Sequence, residues 1–247
     1  MHLMSRNDAI ILPKKGKNSP GLGPVAVVSG TETDLLLLCE LFHFDADDYQ
    51  KIFTSRLYGA HRPALGITLC GPLVGAPYAV MVLENLIAWG AEKIIFLGWC
   101  GSISQQVNIG DIVVATSALI DEGTSGHYLR NEKGQSFPSE GLTNRLVAEF
   151  NQAQIKFHSG AIWTTDAIYR ETRPKVESYQ RLNALAVEME ISALFTVANY
   201  RGVELGALAV VSDELASFKW RPGFKKSEFK RGRQAACMVI NDLCQQI

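Results

Sequence analysis

Short apolar runs alternate with segments of helical spacing along most of the chain. Val25 to Ser29 predicts a strand, and Thr33 to Phe42 a helix. Leu65 to Cys70 predicts the next strand, followed by a helix from Ala76 to Trp89. Ile94 to Leu97 and Ile112 to Ala115 read as strands, residues 142 to 154 as a helix, and Ala161 to Thr164 as a strand. Strands at Ala184 to Met189 and Leu205 to Val211 flank a helix over 191 to 200, and an amphipathic helix from Ser227 to Gln245 closes the chain. This alternation implies βαβ units and a mostly parallel sheet buried on both faces. No repeat or low-complexity tract interrupts it. Residues 1 to 247 are expected to form a single domain, with 1 to 23 as a flexible N-terminal lead-in rich in Pro, Gly and Lys.

In open α/β sheets ligands sit beyond the carboxyl ends of the strands. Here those ends read Ser29-Gly30, Cys70-Gly71, Gly98-Trp99-Cys100-Gly101, Thr164-Thr165-Asp166, Glu188-Met189-Glu190 and Ser212-Asp213. Glycine lets backbone amides approach a ligand, and it also ends strands simply to make turns. Six ends with this mix point to a shared pocket. The acids of Val187-Glu188-Met189-Glu190 stand where an apolar run meets a helix. They are either helix-start carboxylates at the positive end of the dipole, or a grip on a sugar diol with Met189 packing beneath the sugar.

Composition narrows the classes. A length of 247 residues suits one large α/β domain. Lys plus Arg number 24 against 25 acids, so nothing points to a nucleic-acid surface. Five scattered cysteines form no C-x-x-C pair, which argues against a disulfide framework and a metal site. Met1 to Asp8 carries no apolar signal core, and no apolar run is long enough to span a membrane. A cytoplasmic protein is expected.

Five motifs in order resemble the nucleoside phosphorylase family, which includes uridine phosphorylase, the trimeric and hexameric purine nucleoside phosphorylases and related nucleosidases. They are Gly71-Pro72-Leu73-Val74-Gly75-Ala76-Pro77, Leu97-Gly98-Trp99-Cys100-Gly101-Ser102, Ile109-Gly110-Asp111-Ile112-Val113-Val114, Val187-Glu188-Met189-Glu190 and Val210-Val211-Ser212-Asp213. The resemblance covers residues 24 to 245. It implies an α/β fold with a twisted, mixed, partly closed β-sheet flanked by helices, and assembly into a dimer, trimer or hexamer. It also implies a transferase that replaces a nucleoside's base with phosphate through an oxocarbenium-like transition state. Inorganic phosphate would be the co-substrate, with no metal and no other cofactor.

Carried over by position, Glu190 holds the ribose hydroxyls, Met189 packs on the sugar and Glu188 precedes them as a third ribose-site residue. Asp213 donates to or protonates a purine ring nitrogen, its structural alternative being a helix cap. Thr165, Asp166 and Tyr169 fall at base-contact positions, their structural alternative being a turn with an Asp-based cap. Gly30, Gly98 and Gly101, with Lys51 from a neighbouring subunit, fall at the phosphate site. The loop Glu122-Gly123-Thr124-Ser125-Gly126-His127-Tyr128 resembles one in uridine phosphorylases, which makes Thr124, Ser125 and His127 candidate contacts.

The chain departs from the family at phosphate. A Gly-Asp-Pro-x-Arg pattern is replaced by Gly30-Thr31-Glu32-Thr33-Asp34, a second arginine position holds Phe96, and a Ser/Thr position holds Trp99. Other cations could serve, among them Arg130, Arg170, Arg173 and the basic segment 219 to 233, whose alternative is a solvated face. Water could instead replace phosphate, as in the nucleosidases. A third reading is a nucleoside-binding protein without catalysis.

Overall fold

The computed structural model describes residues 9–16, 19–60, 66–128 and 134–247. Arg130, Leu65 and Met1 to Asp8 lie outside them. The elements run β1 (Val25–Ser29), α1 (Glu32–Leu41), β2 (Gln50–Ile52), β3 (Ser55–Tyr58), β4 (Ile67–Gly71), α2 (Ala76–Trp89), β5 (Lys93–Ser102) and β6 (Ile112–Asp121). They continue as β7 (Gln135–Ser136), α3 (Glu140–Gln152), β8 (His158–Thr165), α4 (Arg173–Arg181), β9 (Ala184–Glu188), α5 (Ile191–Arg201), β10 (Glu204–Glu214), β11 (Arg221–Pro222) and α6 (Ser227–Cys244).

The sheet is mixed, not mostly parallel. β1 runs parallel to β4 and β5, β5 to β10, β6 to β8, and β8 to β9. β10 meets β6 antiparallel, β5 meets β9 antiparallel, and β3 lies antiparallel between β2 and β4. Pairing of β10 with both β5 and β6 closes β10, β6, β8, β9 and β5 into a ring, and β1, β4, β3 and β2 extend from it as an open wing. No helix separates β5 from β6 or β2 from β3, so these connections are not βαβ units, and the strands they lead into run antiparallel to a neighbour.

One strand joins ring to wing. Along one edge, β5 pairs with β1 only as far as Leu97, opposite Ser29. From Gly101 the same edge pairs with β9 instead, opposite Val187. Between these registers, at Gly98, Trp99 and Cys100, the edge has no strand partner, and β1 and β9 splay apart there. A cleft at such a change of partner is where α/β sheets bind ligands.

The core explains which elements the pattern reveals. All five β1 residues are buried, and α2 and α5 pack on each other through buried apolar faces. α6 packs against α1 and α3. By contrast, α4 buries only Val176, and its Tyr179 ring stacks on Trp163 with centroids 4.2 Å apart. These rings belong to a second, smaller core with Ile103, Leu119, Ala184 and Val187. No helix among the described residues is long and apolar enough to cross a membrane.

Candidate active site

A cavity of about 210 Å³ fills the splay between β1 and β9. Gly30 and Thr31 border it from the end of β1, Trp99, Cys100 and Gly101 from β5, and Glu188, Met189 and Glu190 from β9 and the start of α5. Ser212 and Asp213 enter from β10, Ile168 and Glu171 from the turn before α4, and Phe224 from the segment after β10. Six predicted residues therefore share one pocket: Gly30, Gly101, Glu188, Met189, Glu190 and Asp213.

The two glutamates differ in their commitments. Glu188 Oε2 accepts the Glu190 and Ile191 amides, at 2.6 and 2.8 Å, and Oε1 accepts the Thr164 hydroxyl. It thus caps the first turn of α5 while also lining the cavity. Glu190 reaches the other way, where its Oε1 accepts the Gly75 amide at 2.5 Å. Gly75 has φ +81°, a conformation that suits glycine and turns this amide toward the carboxylate. Burial pushes both carboxyls above the ordinary range, and the Glu188 charge raises Glu190 further.

Asp213 is held from both sides. Ser212 Oγ donates to Oδ1 at 2.6 Å, and Trp220 Nε1 donates to Oδ2 at 2.9 Å. A Cβ at Gly101 would stand 3.1 Å from Asp213 Oδ2 and 2.5 Å from Leu215 Cδ1, so a side chain there would have to displace both. Glu171, which strand-end reasoning missed, lines the same cavity. Burial and the Asp213 charge push its carboxyl up to about 7. Its segment lies beyond any apolar run, so the pattern held no signal for it.

The corner expected to take phosphate is already occupied. Asp34 is fully buried and accepts Trp99 Nε1 at 2.5 Å, Thr31 Oγ1 at 3.1 Å and Arg233 Nε at 2.6 Å. The Arg233 guanidinium lies 5.2 Å from the Trp99 ring and 5.6 Å from Phe229. Four carboxylates line the cavity among the described residues (Glu171, Glu188, Glu190 and Asp213), and no Lys, Arg or His does.

Other expected residues lie elsewhere. Gly98 sits beneath the Phe96 ring, next to the cavity wall. Thr165 is buried and accepts the Ala167 amide, Asp166 accepts the Gly123 amide at 2.9 Å, and Tyr169 is 96% exposed. Thr124, His127 and Asp166 line a separate surface hollow of about 1280 Å³. Ser125 is buried with its hydroxyl 3.0 Å from that of Thr196. Glu122 accepts the Thr124 and Ser125 amides and the Ser192 hydroxyl, which fixes this loop to α5. Lys51 borders a third hollow beside Gln50 and Trp89. Arg170 and Arg173 flank Glu171 without lining the cavity.

Comparison with known proteins agrees with this architecture. Residues 24–245 match the family profile described as phosphorylase superfamily. A guanosine phosphorylase of Halorubrum lacusprofundi is 30% identical over 174 residues, 69% of this chain and 72% of that protein. A uridine phosphorylase from Vibrio fischeri superposes with TM-score 0.78 at 22% identity, covering 92% and 93% of the two chains. An AMP nucleosidase from Bacteroides thetaiotaomicron superposes with TM-score 0.71 at 21% identity, covering 91% of each chain. With the match running from before β1 to the end of α6, the chain belongs to the phosphorylase superfamily and is an enzyme of the nucleoside phosphorylase type.

Proposed function

We propose that this chain cleaves the N-glycosidic bond of a nucleoside and passes the sugar to inorganic phosphate, without a metal or other cofactor. The observation that carries the reading is the acid-lined cavity at the partner change of β5. An oxocarbenium-like sugar carries positive charge, and fixed carboxylates around it lower the energy of that charge as it develops. Glu190 holds the ribose hydroxyls, Met189 packs against the sugar, and the Glu188 cap keeps both in place. Asp213 and its surroundings face the base.

The acceptor end requires a cation, and a neighbouring subunit supplies it through Lys51. The enzyme therefore works as an oligomer. It acts in the cytoplasm, a compartment that suits five buried free thiols. A second reading, hydrolysis by water, is favoured by the filled Asp34 corner and by a cavity lined with four acids and no Lys, Arg or His among the described residues, which offers a phosphate dianion no counter-charge.

A panel of purine and pyrimidine nucleosides assayed for free base with and without phosphate separates the two. Release that requires phosphate and yields a sugar phosphate supports phosphorolysis. Equal release without phosphate supports hydrolysis, and no release from any nucleoside overturns both.

A further inference from the structure

Asp34 gathers hydrogen-bond donors as a bound anion would. It stands fully buried on α1. Its Oδ1 accepts Arg233 Nε of α6 at 2.6 Å, and its Oδ2 accepts Trp99 Nε1 of β5 at 2.5 Å and the Thr31 hydroxyl at 3.1 Å. An indole N–H and a guanidinium can only donate, so one acceptor bond is fixed at each oxygen. Thr31 and Trp99 also line the cavity, which puts this cluster directly behind its wall at the end of β1. The backbone donors at that wall are committed too. The Gly30 amide donates to the Leu97 carbonyl at 2.8 Å, and the Thr31 amide to Ser29 Oγ at 3.2 Å.

Arg233 is held against two rings, its guanidinium 5.2 Å from the centroid of Trp99 and 5.6 Å from that of Phe229. Its side chain is 13% exposed, and Nε is its bonded nitrogen among the described residues. A phosphate that entered this corner would have to share Arg233 with a carboxylate already 2.6 Å from it.

We infer that Asp34 is a built-in occupant of an oxyanion site, and that it sets how well this enzyme takes phosphate by keeping Arg233 engaged. The inference rests on the nucleoside-cleavage reading and deepens its acceptor end. A carboxylate offers its oxygens to the same donors that a phosphate would use, the guanidinium among them. While Asp34 is in place, phosphate gains no charge from this corner, and water needs none. Without it, a mostly buried guanidinium is left with aromatic faces and no counter-ion. An anion from solution can then take the vacated place.

Asp34→Asn tests this because it keeps the shape and one acceptor oxygen while removing the charge. Inorganic phosphate is the probe, with chloride at equal ionic strength as the reference. The variant should melt lower than native protein in chloride and regain Tm in phosphate, because the added anion replaces the lost carboxylate. Its phosphate Kd by calorimetry should be roughly 10- to 150-fold below that of native protein, the contribution of one charge-assisted bond. On the nucleoside that the native enzyme cleaves best, the KM for phosphate should fall by a similar factor, with little change in the KM for nucleoside. The double variant Asp34→Asn/Arg233→Met should lose these gains, since it has no cation to offer. Trp99→Phe keeps the ion pair and should show no gain, which separates the carboxylate from the bulk of the ring.

Equal phosphate Kd in native protein and Asp34→Asn overturns the inference, as does a gain that survives in the double variant or appears in Trp99→Phe. So does an Asp34→Asn protein that stays unfolded in phosphate as well as in chloride, because phosphate then cannot stand in for the carboxylate. Phosphate binding is read without any nucleoside. A gain in Asp34→Asn, in a protein that cleaves no nucleoside, would uphold the site and count against the functional reading alone.

Discussion

Glu188 and Glu190 stand two residues apart, yet they should respond in opposite ways to the same substitution. The Glu188 carboxylate accepts three hydrogen bonds inside the protein, two of them from the first turn of α5. Glu188→Gln turns an N–H pair toward at least one of those donors. A buried donor left without a partner costs about 1–3 kcal/mol. For a chain of this size that lowers Tm by roughly 2–12 °C. Glu190 makes one such bond, to Gly75. Glu190→Gln should leave Tm nearly unchanged. Losing one charge-assisted bond to the ribose costs about 1.5–3 kcal/mol, a fall in kcat/KM of roughly 10- to 150-fold. Thermal melts and steady-state kinetics on both variants check the contrast, and a reversed pattern would exchange the two roles.

At the scale of elements, the tie between α1 and α6 is electrostatic as well as apolar. Asp34 of α1 and Arg233 of α6 are bonded at 2.6 Å across 199 residues, with Asp34 fully buried. Removing one partner of such a pair leaves a buried charge uncompensated, at about 3–5 kcal/mol. Arg233→Met should therefore lower Tm by roughly 6–20 °C. Adding Asp34→Asn removes the stranded charge while keeping an acceptor for Trp99, so the double variant should recover more than half of the loss. A double variant that melts lower still would show that Asp34 is not the stranded charge. This pair also shows what could be read in advance and what could not. Asp34 stood out in the sequence as an acid in place of a family arginine, but nothing local tied it to Arg233. Likewise β1, α2 and α5 were legible because they bury nearly whole faces, whereas α4 was missed because it buries only Val176. The pocket was legible wherever a strand ended in it. Glu171 enters from a turn, and the loop Glu122 to His127 faces another hollow, so strand ends neither found the first nor excluded the second.

At the scale of the molecule, the proposed phosphorolysis lacks a counter-charge among the described residues of the cavity. Four carboxylates line the cavity and no cationic side chain does, among the described residues. Arg233, near the Thr31 corner, is already bound to Asp34. On the phosphorolytic reading proposed above, a dianion there needs positive charge that the described lining residues do not supply. For the proposed assembly, the face to test is the large hollow, lined by Phe53, Pro77, Val80, Met81 and Tyr200 around the Glu84–Arg201 ion pair and bordered by the chain's own Ile11 to Lys14. Phe53 follows β2 directly, two residues beyond Lys51, so under the proposed assembly a copy docked on this face would have Lys51 close to the contact. Light scattering should therefore report a multiple of 27.1 kDa. Met81→Arg, on the exposed side of α2 in that hollow, should dissociate the assembly and abolish phosphate-dependent cleavage together. Lys51→Ala should keep the assembly and raise the KM for phosphate with little change in the KM for nucleoside. A 27.1 kDa species that retains full phosphate-dependent activity would mean that the cation comes from within the chain. The Asp34–Arg233 pair would then have to open when phosphate binds.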